Sequence, residues 1–231
     1  MYLTEGRLYD IQAKIKHICI ACDRKPEEIR ILPVTKTHST AVLQAAFSLG
    51  LHRFGENKIQ EAQQKARVLQ DLPVRWCMIG HLQTNKAKYA ARFADEVHSL
   101  DSIKLAKVLE QHLQKLGRSV KVLLQVNSSG EPQKHGLAPD AVLPFVRELS
   151  AFPALQVEGL MTMAMFSQNT EQVHSCFRKV KILQERLRQE DVQGRSWNTL
   201  SMGMSHDFPV AIAAGATEIR LGQALFGERP L

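Results

Sequence analysis

Short apolar runs of strand type alternate with longer stretches of helical period from one end of the chain to the other. The first stretch, residues 5–22, puts Ile11, Ile15, Ile18, Cys19 and Cys22 on one helical face. Pro26 marks a connector, and Ile31-Leu32-Pro33-Val34-Thr35 reads as the first strand. Helix 40–49, a short strand at His52-Arg53-Phe54, helix 57–69 with Asn57 as its N-cap, and strand 75–79 follow. A helix from Thr84 to about Phe93 precedes strand 96–100, and helix 102–116 stops at Gly117, the residue type suited to the left-handed position after a helix. Residues 121–126 form the clearest strand, followed by a polar loop from Asn127 to Gly136. Helix 139–150, strand 156–161, helix 170–189, strand 199–201, helix 206–214 and strand 218–221 complete the series.

Eight strands interleaved with helices, plus one extra helix in front, predict an α/β fold closed as a (β/α)8, or TIM, barrel. A chain of 231 residues is the right size for one such domain spanning 1–231, with no composition break or internal repeat inside it. The competing open, doubly wound sheet would carry a glycine-rich phosphate turn after its first strand. Val34-Thr35-Lys36-Thr37-His38 has none.

The formal net charge of +7 raises nucleic-acid binding, which needs clustered cations with aromatics to stack bases. Here the cations are spread over nearly every helix. The densest group, Arg178, Lys179, Lys181, Arg186 and Arg188, is broken by Glu185 and Glu190 and reads as a solvated face. A small anionic ligand suits this charge equally well. No stretch approaches the ~18 apolar residues of a membrane span, and no apolar leader opens the chain, so a cytoplasmic protein without membrane contact is expected. Cys19 and Cys22 form a lone C-x-x-C on a helix with no second pair, which favours core thiols over a metal or redox site.

In a barrel of this kind the chemistry sits just past the C-terminal ends of the strands. Lys36 follows the first strand, in a partly desolvated mouth where an ammonium is disfavoured and a nucleophilic amine is favoured, although a lysine that merely snorkels to water fits the same position. Ser201-Met202-Gly203-Met204-Ser205 after strand seven and Gly222-Gln223 after strand eight are small-residue turns that can aim N–H groups and a hydroxyl at a phosphate. Arg220, on a buried strand, needs an acceptor, and Glu218 or Asp207 is the plain structural candidate. Asn57 stands at the mouth after strand two, as cap or ligand. His81 and His206 are mouth histidines, but no carboxylate or cysteine spacing supports a metal site, and none is expected.

These pieces also carry a resemblance. Val34-Thr35-Lys36-Thr37, Phe54-Gly55-Glu56-Asn57, Ile79-Gly80-His81-Leu82-Gln83-Thr84-Asn85-Lys86, Gly159-Leu160-Met161, Leu200-Ser201-Met202-Gly203-Met204-Ser205-His206-Asp207 and Ile219-Arg220-Leu221-Gly222-Gln223-Ala224-Leu225-Phe226-Gly227 run in order over nearly the whole chain. Together they resemble the pyridoxal phosphate homeostasis protein family, relatives of the alanine racemase N-terminal barrel. The resemblance implies that Lys36 carries pyridoxal 5′-phosphate (PLP) as an internal aldimine, with Ser201 and the backbone around Met202, Gly222 and Gln223 on its phosphate. It further implies that Arg220 faces the pyridine nitrogen and that Asn57 lies near the cofactor. His81 departs from the proline, and Thr84 from the serine, common in such relatives. Lys134, in the polar loop, is a second lysine near the mouth.

An arginine at the pyridine nitrogen is donor-only and always charged, so it leaves that nitrogen unprotonated and the ring a weak electron sink. Racemases with such an arginine use a tyrosine from a second domain and a partner subunit. This chain ends after its eighth barrel unit, and Tyr2, Tyr9 and Tyr89 lie at no strand end. The expectation is a monomeric carrier or buffer of PLP in vitamin B6 homeostasis rather than a strong enzyme, with transfer to apo-PLP enzymes as its further role. The competing readings are a weakly active PLP-dependent racemase or lyase and a phosphate-binding barrel without PLP.

Overall fold

The computed structural model describes residues 5–190 and 195–227. Its eight strands are β1 (Arg30–Pro33), β2 (Arg53–Glu56), β3 (Arg75–Met78), β4 (Glu96–Leu100), β5 (Val120–Val126), β6 (Leu155–Thr162), β7 (Thr199–Ser201) and β8 (Glu218–Leu221). All pair in parallel in the order β1-β8-β7-β6-β5-β4-β3-β2. The ring closes between β1 and β2 through an isolated parallel bridge, Val34 to Gly55, and a 3.0 Å bond from the Thr35 N–H to the Gly55 carbonyl. That seam, like the single-pair β7–β8 junction, is thin.

The helices are α1 (Glu5–Ala21), α2 (Thr40–Ser48), α3 (Ile59–Val68), α4 (Ala87–Phe93), α5 (Ile103–Lys115), α6 (Val142–Glu148), α7 (Thr170–Gln189), α8 (Phe208–Ala213) and α9 (Gln223–Phe226). Helices outside and side chains inside bury both faces of the sheet, so β4 is buried at all five positions and β5 at all but Lys121. The extra helix α1 packs on α8 and α9 through Leu8, Ile11, Ile15 and Cys19. Cys19 is fully buried and its thiol pKa is raised by burial; Cys22 is half-buried, and both are free.

The sequence reading holds for every strand, with shifts at their ends, and differs in four helical regions, the first being 84–93, where a 3-10 turn over Thr84–Lys86 precedes α4. The stretch 139–150 divides into 3-10 turns, Pro139–Ala141 and Leu149–Ala151, around α6. Pro144 has no N–H and its ring opposes the carbonyl four residues back, so the α-helix cannot extend back to Pro139. Helix α3 starts at Ile59 with Lys58 as N-cap, so Asn57 is not the cap. Helix α9, one turn long, was not anticipated because four residues show no period.

Inside the barrel the side chains are layered. The lower layer is ionic: Arg53 bonds Glu96 at 3.0 and 2.6 Å and lies 3.0 Å from Glu218, while His98 Nε2 is 2.8 Å from Glu96. Burial works against the Glu96 carboxylate, but His98 and Arg53 hold its pKa well below the usual range. Above this layer lies the mouth.

Gly159 lets β6 and β7 meet: a Cβ there would fall 1.8 Å from the Thr199 carbonyl oxygen, its own ladder neighbour. Gly159→Ala is expected to destabilise the fold by about 3 kcal/mol or more, the range of severe overpacking against backbone. A urea unfolding midpoint close to wild type would contradict that close approach.

Candidate functional site at the barrel mouth

Lys36 emerges from β1 half-buried at the closing seam, and a buried polar cluster fixes the chain on both sides of it. The Thr35 hydroxyl donates to Glu56 Oε1 at 2.7 Å. The Lys65 ammonium, 6% exposed, donates to the Thr35 carbonyl, to Glu56 Oε1 and to Glu61 Oε1, each at 2.7 Å. These three bonds match its three protons. Glu61 Oε1 in turn accepts the Thr37 N–H at 2.5 Å, holding Thr37 at φ 69°. A β-branched residue in that region is strained by about 1–2 kcal/mol, so the contacts over-determine a conformation that the free chain would avoid.

The electrostatics of the cluster are divided. Burial pushes the Glu56 pKa up against the pull of Lys65 and Thr35, and its Oε2 has no hydrogen-bond partner among the described residues. Burial also opposes ionisation of Glu61, yet Lys65 and the Thr37 amide hold that carboxyl below the usual range.

On the other side of Lys36, β8 is the neighbour of β1. The Val34 N–H donates to the Leu221 carbonyl at 2.8 Å, and a Cβ on Gly222 would lie 3.5 Å from the Val34 carbonyl oxygen. The His38 and Phe226 rings, 4.8 Å apart, tie the loop after Lys36 to α9. Lys36 and the Gly222-Gln223 turn therefore share one sector of the mouth.

Arg220 is buried in that sector and does not take either acid offered by its sequence surroundings. Its Nη1 donates to the Ser201 carbonyl at 2.7 Å and to Ser201 Oγ at 3.0 Å, and its Nη2 to the Thr162 carbonyl at 2.8 Å. Glu218 lies in the lower layer with Arg53, and Asp207 Oδ1 accepts the Met204 N–H at 2.5 Å. Burial lowers the Arg220 pKa to about 10, which still leaves a cation at neutral pH. Its direct hydrogen-bond partners are neutral oxygens, while Glu218 and Asp207 act on it only through space and favour its charged form.

The turn after β7 is tied to both β8 and α9. Ser201 and Met202 are fully buried, Ser201 serving Arg220 and the Met202 amide spent on the Glu218 carbonyl at 3.0 Å. The half-buried hydroxyl of Ser205 instead joins the two turns by accepting the Ala224 N–H at 3.1 Å. Among the described residues, the N–H groups of Gly222 and Gln223 meet no protein acceptor. Two open donors beside a hydroxyl suit an anionic oxygen cluster.

Asn57 is half-buried at the end of β2, and its backbone presses on Gly80, where a Cβ would fall 2.3 Å from the Asn57 carbonyl oxygen. Lys134 is bound to Glu131 and to the Ala164 carbonyl, and exposed His206 sits 3.4 Å from Asp207. Sequence reasoning missed Lys65 and Glu61, which sit on α3 one turn apart. The i,i+4 spacing was visible, but it is the signature of an ordinary exposed pair.

Lys65→Met would strand two carboxylates, one of them fully buried, and is expected to cost about 3–5 kcal/mol. The folded state would then bind a proton at Glu56 more tightly than the unfolded chain, so the deficit should shrink as pH falls through the raised pKa. Urea titrations of the variant across acid and neutral pH check this; a deficit that grows toward acid would contradict it.

Comparison with known proteins agrees with this geometry. Residues 9–230 match the family model described as alanine racemase, N-terminal domain. The pyridoxal phosphate homeostasis protein of Aquifex aeolicus is 37% identical over 223 residues, covering 96% of this chain and 97% of that protein. PipY of Synechococcus elongatus, in a structure with PLP bound, is 34% identical with a TM-score of 0.81, covering 92% of this chain and 100% of that one. Alanine racemase of Clostridium difficile, 15% identical, shares the fold with a TM-score of 0.79 over 100% of this chain and 59% of its own. A lysine at the mouth of β1, a buried arginine on β8 and two adjoining small-residue turns thus sit in a chain that belongs to the pyridoxal phosphate homeostasis protein family, on the barrel of the alanine racemase N-terminal domain.

Proposed function

We propose that this protein binds PLP covalently through the Lys36 amine and acts as a cytoplasmic, monomeric carrier or buffer of the cofactor, able to pass it to apo-PLP enzymes. The single PLP-binding domain spans 1–231. When bound, PLP supplies an aldehyde for the amine and a ring that withdraws electrons only as far as its nitrogen is protonated. Lys36 supplies the amine, Asn57 lines the mouth beside it, and Ser205 with the Gly222 and Gln223 amides takes the phosphate. Ser201 and Met202 form the layer beneath, Ser201 positioning Arg220 at the pyridine nitrogen.

The observation that carries the carrier reading is Arg220. Among the described residues no carboxylate forms an ion pair with it, and its pKa of about 10 keeps it a cation at neutral pH. It can donate to the ring nitrogen but cannot hand over a proton as a neutral acid would, so the ring remains a poor electron sink. Among the described residues no tyrosine stands at a strand end to support a second base: Tyr9 is 70% exposed on α1 and Tyr89 lies on α4. No described helix is long and apolar enough to cross a membrane.

Purified protein mixed with PLP should develop an absorption band at the edge of the visible that Lys36→Ala abolishes. Single-enantiomer amino acids should keep their optical activity on incubation with the loaded protein. Lys36-dependent loss of optical activity would replace the carrier with a racemase, and a band that survives Lys36→Ala would remove the site itself.

A further inference from the structure

Across the mouth from Gly222, three loops bring together residues that the PLP site does not use. His81 follows β3, Asp101 follows β4 and His135 closes the loop after β5. The two imidazoles stack with centroids 3.7 Å apart and planes 9° from parallel, and His81 Nδ1 lies 3.8 Å from Asp101 Oδ2. One ligand atom from each residue lies within 4.8 Å of the others. We propose that His81, Asp101 and His135 form a rim site for one divalent transition-metal ion of the zinc class.

The backbone carrying each ligand is already set. The Ser99 hydroxyl donates to the Gly80 carbonyl at 2.8 Å, fixing the residue before His81, and buried Gln125 donates to the His135 carbonyl at 3.0 Å. Asp101 directly follows the fully buried strand β4. Zinc bonds of about 2.0–2.2 Å in a tetrahedron place donors about 3.3 Å apart. The present separations need to close by about 0.5–1.5 Å to reach that, and the stacked rings must turn out of their parallel arrangement so that both in-plane lone pairs converge on the ion, a rearrangement open to two exposed side chains.

The donor set selects the ion. Two imidazoles and one carboxylate suit zinc, cobalt or nickel, whereas magnesium and calcium require oxygen ligands. Three protein ligands leave a coordination position for water. The one other such grouping among the described residues, Cys77 with Glu96 and His98, is unsuited: Arg53 occupies Glu96, and burial raises the Cys77 pKa so that the thiol stays protonated. Binding at the rim would pin the 127–136 loop to the loops after β3 and β4. The three ligands are 20 and 34 residues apart in the chain, so no local spacing announced them.

Chelator-treated full-length protein titrated with zinc chloride in a calorimeter should bind one ion per chain, with magnesium chloride giving no heat of binding. His81→Ala and His135→Ala, both at exposed positions and each checked for folding by circular dichroism, should each weaken zinc binding at least tenfold. Cobalt(II) should give visible bands without a sulfur charge-transfer band. No saturable zinc binding at millimolar concentration, wild-type affinity in both histidine variants, or a sulfur charge-transfer band would each overturn the site.

Discussion

The Lys65 ammonium is the group on which the mouth of this barrel depends. The β1–β2 seam carries one isolated bridge, where most other neighbouring strands share ladders. Lys65 spans that seam from α3, reaching the Thr35 carbonyl of the first strand's end and Glu56 of the second strand. A buried ion cluster of this kind adds little net stability against an apolar alternative, because desolvation offsets attraction. What it supplies is geometry. The residues on both sides of Lys36 are tied to α3, so the amine leaves the seam in one direction.

The same logic divides the barrel interior. Glu218 and Arg220 are two residues apart on β8, on the same side of the strand, yet they serve different layers. Glu218 completes the ionic floor with Arg53, Arg30 and His98, whereas Arg220 meets only the oxygens of Ser201 and Thr162. Had the two paired with each other, the mouth would lose its cation and the floor its acid. Two residues of rise along β8 and their separate partners keep them apart, and the upper layer is left with a cation suited to an anionic ligand and to a ring nitrogen without a proton.

Most of the architecture was legible in the sequence because short strand-type runs, clearest at β5, alternate with long helices that keep a clean period. Helix α7 and strands β4, β7 and β8 have the bounds read from the pattern. What failed was whatever a distant neighbour decides. Asn57 looked like a cap until the helix began two residues later, and the hydrogen bond that Arg220 gives to the Ser201 hydroxyl was announced by no local pattern. Lys65 resembled any surface lysine four residues from a glutamate. The His81, Asp101 and His135 grouping arises only when three strands end side by side.

The central claim is that one particular amine, out of many lysines, meets the aldehyde of PLP. Loading the protein with PLP, reducing it with borohydride and mapping the peptides by mass measures this most directly. The account predicts a single tagged peptide, modified at Lys36. A tag at Lys65 or Lys134 in place of Lys36, or no tag at all, would contradict it.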